Sequence, residues 1–174
     1  MIEIYQWLAP DLEKHLDQMA TLLHDCVHDG ASIGFIKPHP LSEAQAFWQT
    51  SVLPTLSPQT RGLFVALKGD SPVGTVSVVL DTPTNQPHRA EIAKLMVHPK
   101  ARRQGLARRL MQHAEDHARS NGRTLITLDT RTGDSAEPLY RSLGFETAGV
   151  IPEYCLDVEG QRLDSTTYMF KRLS

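Results

Sequence analysis

This sequence has little of several things, and each shortage closes off a class of function. It has two cysteines in 174 residues, Cys26 and Cys155. They are far apart and in no CxxC pair, which excludes a zinc ribbon, a dithiol redox motif and a disulfide framework. Excess charge is absent too: the formal net charge is −2 and the pI about 6.4. A nucleic-acid binder is usually basic overall, so nucleic acid is not an expected partner. No apolar run approaches the ~20 residues of a membrane span. The N-terminal stretch MIEIYQWLAP has neither a basic leader nor an apolar core, so no signal peptide is expected. A cytoplasmic location without membrane contact is the expectation. The nucleotide fingerprints GxxxxGK[ST] and GxGxxG are also missing.

What remains has ordinary globular composition, 40% hydrophobic and 22% charged. The length predicts one domain, 1–174, with no repeat or linker to divide it. Ile2 to Leu8 alternates in part and predicts an edge strand. Apolar residues at 12, 16, 19, 22, 23 and 27 predict a helix from Asp11 to about His28, stopped by Gly30. GASIGF (30–35) and KPHP (37–40) read as loop. Ser42 opens a second helix to about Leu53. Gly62 to Leu67, Val73 to Leu80 and Ala90 to Val97 predict a three-strand meander, with turns at Gly69-Asp70 and 82–87. A helix from Leu106 to Ser120 follows, ended by Asn121-Gly122. Then come a strand at Thr124 to Leu128, a short helix at Ser135 to Leu143, a strand at Phe145 to Val150, a turn in 158–161 and a last strand at Thr166 to Phe170. The order is α/β in mixed sequence, not a βαβ repeat.

One stretch is built for a ligand. RRQGLARRL, 102–110, gathers four arginines around Gly105, directly between a strand and a helix. Amides of a first helical turn lack intrahelical partners and carry positive partial charge, so they bind anions. Gly105 lets a ligand approach the backbone, and Ala107 keeps the next position small. Arg102, Arg103 and Arg108 can add charge-assisted contacts. Together they describe a pyrophosphate cradle. Histidine pairs at 24/28 and 113/117 have metal-ligand spacing, but no third ligand accompanies either, and no metal is expected.

Arg102-x-x-Gly105-x-Ala107, preceded by LMVHP, followed by LITLDT and then by Ala136-x-x-x-Tyr140-x-x-x-Gly144-Phe145, resembles the GNAT superfamily of N-acetyltransferases. The likeness covers nearly the whole chain. At a finer level GASIGF, HRAEIAKLMV, AEPLY and IPEYCLDVEGQRLDSTTYMFK resemble acetyltransferases of the tabtoxin-resistance type. The superfamily resemblance implies a mixed, mostly antiparallel sheet, flanked by helices and split between its fourth and fifth strands, 90–97 and 124–130. It implies acetyl-CoA as cofactor, its pyrophosphate on Arg102, Arg103, Gln104, Gly105, Leu106, Ala107 and Arg108. Its pantetheine arm would lie against Leu95, Met96 and Val97, with Ala136 and Tyr140 nearby. Tyr140 is implied as general acid and Glu91 as base, in direct transfer of acetyl to a small-molecule amine. An ordinary core tyrosine and a salt-bridged surface glutamate are the plain alternatives. Gly30, Ser32, Phe35 and Tyr154 are candidates for the acceptor side. Gly133 stands where the family often has Asn, which removes one side-chain contact to the arm. A homodimer is the default assembly. The alternative from another class is a sensor module that binds coenzyme A and transfers nothing.

Overall fold

The computed structural model describes all residues, 1–174. In chain order the elements are β1 (Ile2–Trp7), α1 (Ala9–Lys14), α2 (Leu16–His28), α3 (Leu41–Ala46), β2 (Arg61–Lys68), β3 (Ser71–Val79), β4 (Arg89–Val97), α4 (Leu106–Ser120), β5 (Leu125–Arg131), α5 (Ala136–Ser142), β6 (Glu146–Leu156) and β7 (Leu163–Arg172). The seven strands form one sheet in the order β1-β2-β3-β4-β5-β7-β6. Only β4 and β5 pair in parallel.

Strand alternation divides the core between the two faces. Leu63 and Val65 of β2 face Met19, Leu22 and Leu23 of α2 and Trp48. Phe64 and Ala66 face Leu106, Leu110, Met111 and Ala114 of α4. Trp48 is fully buried and satisfies its indole by donating to the Met19 carbonyl at 2.9 Å. Leu110 is likewise fully buried, and it lies close to the β3 backbone at Gly74. Leu110→Ala is expected to cost about 2–5 kcal/mol of stability, read from urea unfolding, because α4 cannot collapse into the gap.

The sheet splits where the family resemblance placed the split. β4 and β5 pair only through Arg89↔Leu125, Ala90↔Ile126 and Glu91↔Thr127. Beyond Glu91 the strands diverge, β4 staying with β3 up to Gly74↔Val97 and β5 with β7 up to Arg131↔Thr166. The cause is local. Between the pairs Ser77↔Ala93 and Thr75↔Met96, β4 carries one extra residue, and Lys94 takes a left-handed φ of 53°. A bulge of this kind bends its strand and increases its twist.

Four elements differ from the sequence expectation. The helix expected over 11–28 breaks at His15, whose ring stacks on Trp7 at 4.8 Å while its Nδ1 meets the Asp11 carbonyl at 2.8 Å. The helix expected from Ser42 starts at Leu41 and widens into π-type turns over Phe47–Val52. The last two strands are longer than expected, because β6 runs on through Pro152 by means of a bulge with Glu153 at φ 52°. β6 lies at the sheet edge, where a proline costs no ladder bond.

Candidate functional site

The slot between β4 and β5 widens into a cavity of about 840 Å³. One end is the N-terminus of α4, the other lies between residues 30–34 and the β6–β7 arm.

The α4 end is shaped by backbone conformation. Arg103 (φ 64°) and Gly105 (φ 71°) are both left-handed, and α4 begins at Leu106. Gly105 is glycine for its conformation, since a Cβ there would meet nothing within 4 Å. The cavity is lined by Gly105, Leu106, Ala107 and Arg108, so an anion held in it can approach the first-turn amides of α4. The arginines divide their work. Arg102 donates from Nε to the Val97 carbonyl at 3.1 Å and pairs through Nη1 with Asp29 at the end of α2. Arg108 donates to Ser142 Oγ at 2.7 Å. Both guanidinium groups are therefore tied to protein partners, whereas Arg103 is exposed beside the cradle. Gln104 does not line the cavity, while Gly105, Leu106, Ala107 and Arg108 do.

Midway along the slot the wall consists of Leu95, Met96 and Val97 on one side and Ala136 and Tyr140 of α5 on the other. Tyr140 is 6% exposed and packs against Phe145. Burial pushes its phenol well above the ordinary value, and Asp134 and Asp129 push the same way. It therefore keeps its proton through the physiological range. Gly133 is left-handed, φ 79°, and its N–H donates to Glu137 Oε1 at 3.4 Å, so the turn before α5 is held by backbone and the Glu137 carboxylate.

At the far end Glu91 sits at the last β4–β5 pair, half exposed and 3.2 Å from Arg89 Nη1. The sequence reading missed its neighbour across the gap. Asp129 on β5 lines the cavity, accepts from Thr166 Oγ1 at 2.8 Å and lies opposite Tyr168. Tyr168 shares a hydrogen bond with Tyr154, 2.9 Å between hydroxyls. That bond comes first in pushing the Tyr168 phenol up to about 12, with burial and then Asp129 adding to it. The only signal of Asp129 in the sequence was a lone acid in the strand LITLDT. Lys94 was missed as well. It lines the cavity from the bulge, and its Nζ donates to the Ile33 carbonyl at 2.5 Å.

Gly30 and Ser32 of the loop 30–35 line the cavity, as does Tyr154. Phe35 does not. It packs one layer back, against Phe47 at 5.2 Å and His39 at 4.6 Å, with Lys94 over its ring. Its apolar ring is drawn into the α3 core and not to the cavity surface. Neither thiol is an activated nucleophile: burial pushes Cys26 up to about 11 and also raises Cys155.

Comparison with known proteins agrees with this fold. Human N-acetyltransferase 8 is 35% identical over 96 residues, 54% of this chain and 42% of the human protein, so the chain spans less than half the length of that relative. An uncharacterized N-acetyltransferase from the hisH–hisA intergenic region of Azospirillum brasilense is 29% identical over 126 residues, 71% of this chain and 72% of that protein. The fold matches yncA of Salmonella typhimurium, a putative acetyltransferase solved with acetyl-CoA, at a TM-score of 0.76 and 19% identity over 99% of this chain and 94% of that one. The model of the acetyltransferase (GNAT) family matches residues 1–145, and the chain belongs to that family.

Proposed function

We propose that this chain is an acetyl-CoA-dependent N-acetyltransferase that acetylates the amine of a small molecule by direct attack, without an acyl-enzyme. One observation carries the reading. A single slot leads from an open, glycine-started helix N-terminus, past a buried protonated tyrosine, to two carboxylates.

The residues fit the cofactor. The open space at Gly105 admits a pyrophosphate to the amides of 105–108, with Arg103 beside it. The unpaired edge of β4 at 95–97 offers backbone groups to the amides of a pantetheine arm. Acetyl-CoA supplies the acetyl group activated as a thioester. Tyr140 holds the proton that a departing thiolate needs, at its phenolic oxygen. Glu91 takes the proton that the attacking amine must lose, directly or through water. Asp129 adds a second negative charge at that end, which draws a cationic ammonium into the recess.

Likeness to the tabtoxin-resistance type supports an amino-acid-like amine as acceptor. The reading is tested by following thiol release from acetyl-CoA against a panel of amino acids, dipeptides and polyamines, with the product checked by mass. Release that depends on one amine class, with that amine gaining one acetyl group, is expected. Tight cofactor binding with no release across the panel would favour the sensor alternative.

A further inference from the structure

We propose that Lys94 is a resident acetyl acceptor: in the presence of acetyl-CoA and the absence of an amine substrate, the protein acetylates its own Lys94 at Nζ. The proposal rests on the reading of the slot as the acetyl-CoA site.

Lys94 is the bulged residue of β4, φ 53°, between the pairs Ser77↔Ala93 and Thr75↔Met96. A bulge re-aims a side chain out of the strand's alternation. Lys94 is among the residues that line the same cavity as Gly105 and Tyr140, and its Nζ meets the carbonyl of Ile33, another lining residue. Its position along the slot is the important point. The cradle lies at 103–107, and Val97 to Leu95 lead from it along β4. The slot closes at Glu91↔Thr127. A chain anchored at the cradle and laid along β4 therefore brings its far end to the bulge.

The amine found there differs from the other lysines. Lys37 and Lys171 are paired with glutamates at 2.8 and 2.7 Å. The Nζ of Lys94 instead donates to the Ile33 carbonyl and lies over the rings of Phe35 and Phe47, at 5.2 and 5.8 Å from their centroids. The loop closes tightly around it, since a Cβ on Gly34 would sit 3.1 Å from Nζ. Burial disfavours its charged form and lowers its pKa, Asp129 opposing and Arg61 adding to the shift. More of this amine is neutral at a given pH than of a surface lysine.

The step balances. Nζ first releases one proton to solvent. The neutral nitrogen then forms a bond to the acetyl carbonyl carbon, the carbon–sulfur bond breaks, and its electron pair leaves with sulfur. The nitrogen gives a second proton to Asp129 or Glu91, and the thiolate takes one from Tyr140. The products are an N-acetyl-lysine amide and the free thiol of coenzyme A. The amide retains one N–H for Ile33 but loses the charge and fills the recess, which would slow acetylation of an outside amine.

The test is peptide mass mapping after incubation with acetyl-CoA alone, using a protease that cuts after Lys and Arg. Acetylation stops cleavage at Lys94, so a peptide spanning 90–100 with one acetyl group is expected. Labelling at exposed Lys14, Lys68 and Lys100 should be much slower. Tyr140→Phe should slow labelling at Lys94 by about tenfold or more and leave the surface lysines unchanged. Lys94→Arg should remove the label without changing acetyl-CoA affinity. An unlabelled Lys94 in protein that binds acetyl-CoA by calorimetry overturns the proposal, as does labelling spread evenly over surface lysines and indifferent to Tyr140→Phe. Protein that binds no acetyl-CoA overturns the reading of the slot itself, and this proposal with it.

Discussion

Replacing Gly105 by Glu is expected to weaken acetyl-CoA binding by about tenfold to a hundredfold, ~1.4–2.8 kcal/mol. Two effects add. The substituted residue must hold the left-handed φ of 71° that starts α4, which costs a side-chain-bearing residue roughly 1–2 kcal/mol. Its carboxylate then sits at the cavity-lining N-cap of α4, where it repels a pyrophosphate and competes for the first-turn amides. Gly105→Asn separates the two effects. Asparagine tolerates the left-handed region and is uncharged, so its affinity should lie much nearer to that of the native chain. Titration calorimetry on both variants, with unfolding midpoints to confirm folding, measures the difference. Equal affinity in all three proteins would place the cofactor elsewhere.

Tyr140→Phe is expected to lower kcat by about a hundredfold or more while acetyl-CoA affinity stays near that of the native chain. The phenylalanine keeps the packing against Phe145 and loses only the hydroxyl. The pH profile adds a second signature. Burial raises the phenol's pKa, so the native chain keeps Tyr140 in its acid form up to and beyond the ordinary phenol value of about 10. A fall in kcat caused by loss of that proton must therefore lie above pH ~10. Unchanged turnover in the variant would return Tyr140 to the role of a core tyrosine.

The parts of the molecule legible in the sequence were those governed by nearby residues. The start of α4 was readable because glycine, small residues and arginines stand together within one turn. The strands β2 to β4 were readable from β-branched runs and turn residues. The parts that were not legible depend on distant partners. Lys94 is one polar residue within AEIAKLMV, and nothing local announces a bulge whose register is set by β3. Asp129 gains its place from Thr166 and Tyr168, almost forty residues later in the chain. Arg102 is tied to Asp29, a residue from a different layer, so its charge could be counted from the sequence but not its engagement. Phe35 was expected at the cavity surface and is claimed by Phe47 and His39 instead. The break at His15 likewise depends on Trp7, which no helical periodicity could include.

The most direct test of the central claim is a calorimetric titration of the native chain with acetyl-CoA. One site per chain with a micromolar Kd, about −8 kcal/mol, is predicted. Absence of binding at millimolar acetyl-CoA would contradict the account, and would leave the open helix N-terminus at Gly105 to serve a different anion.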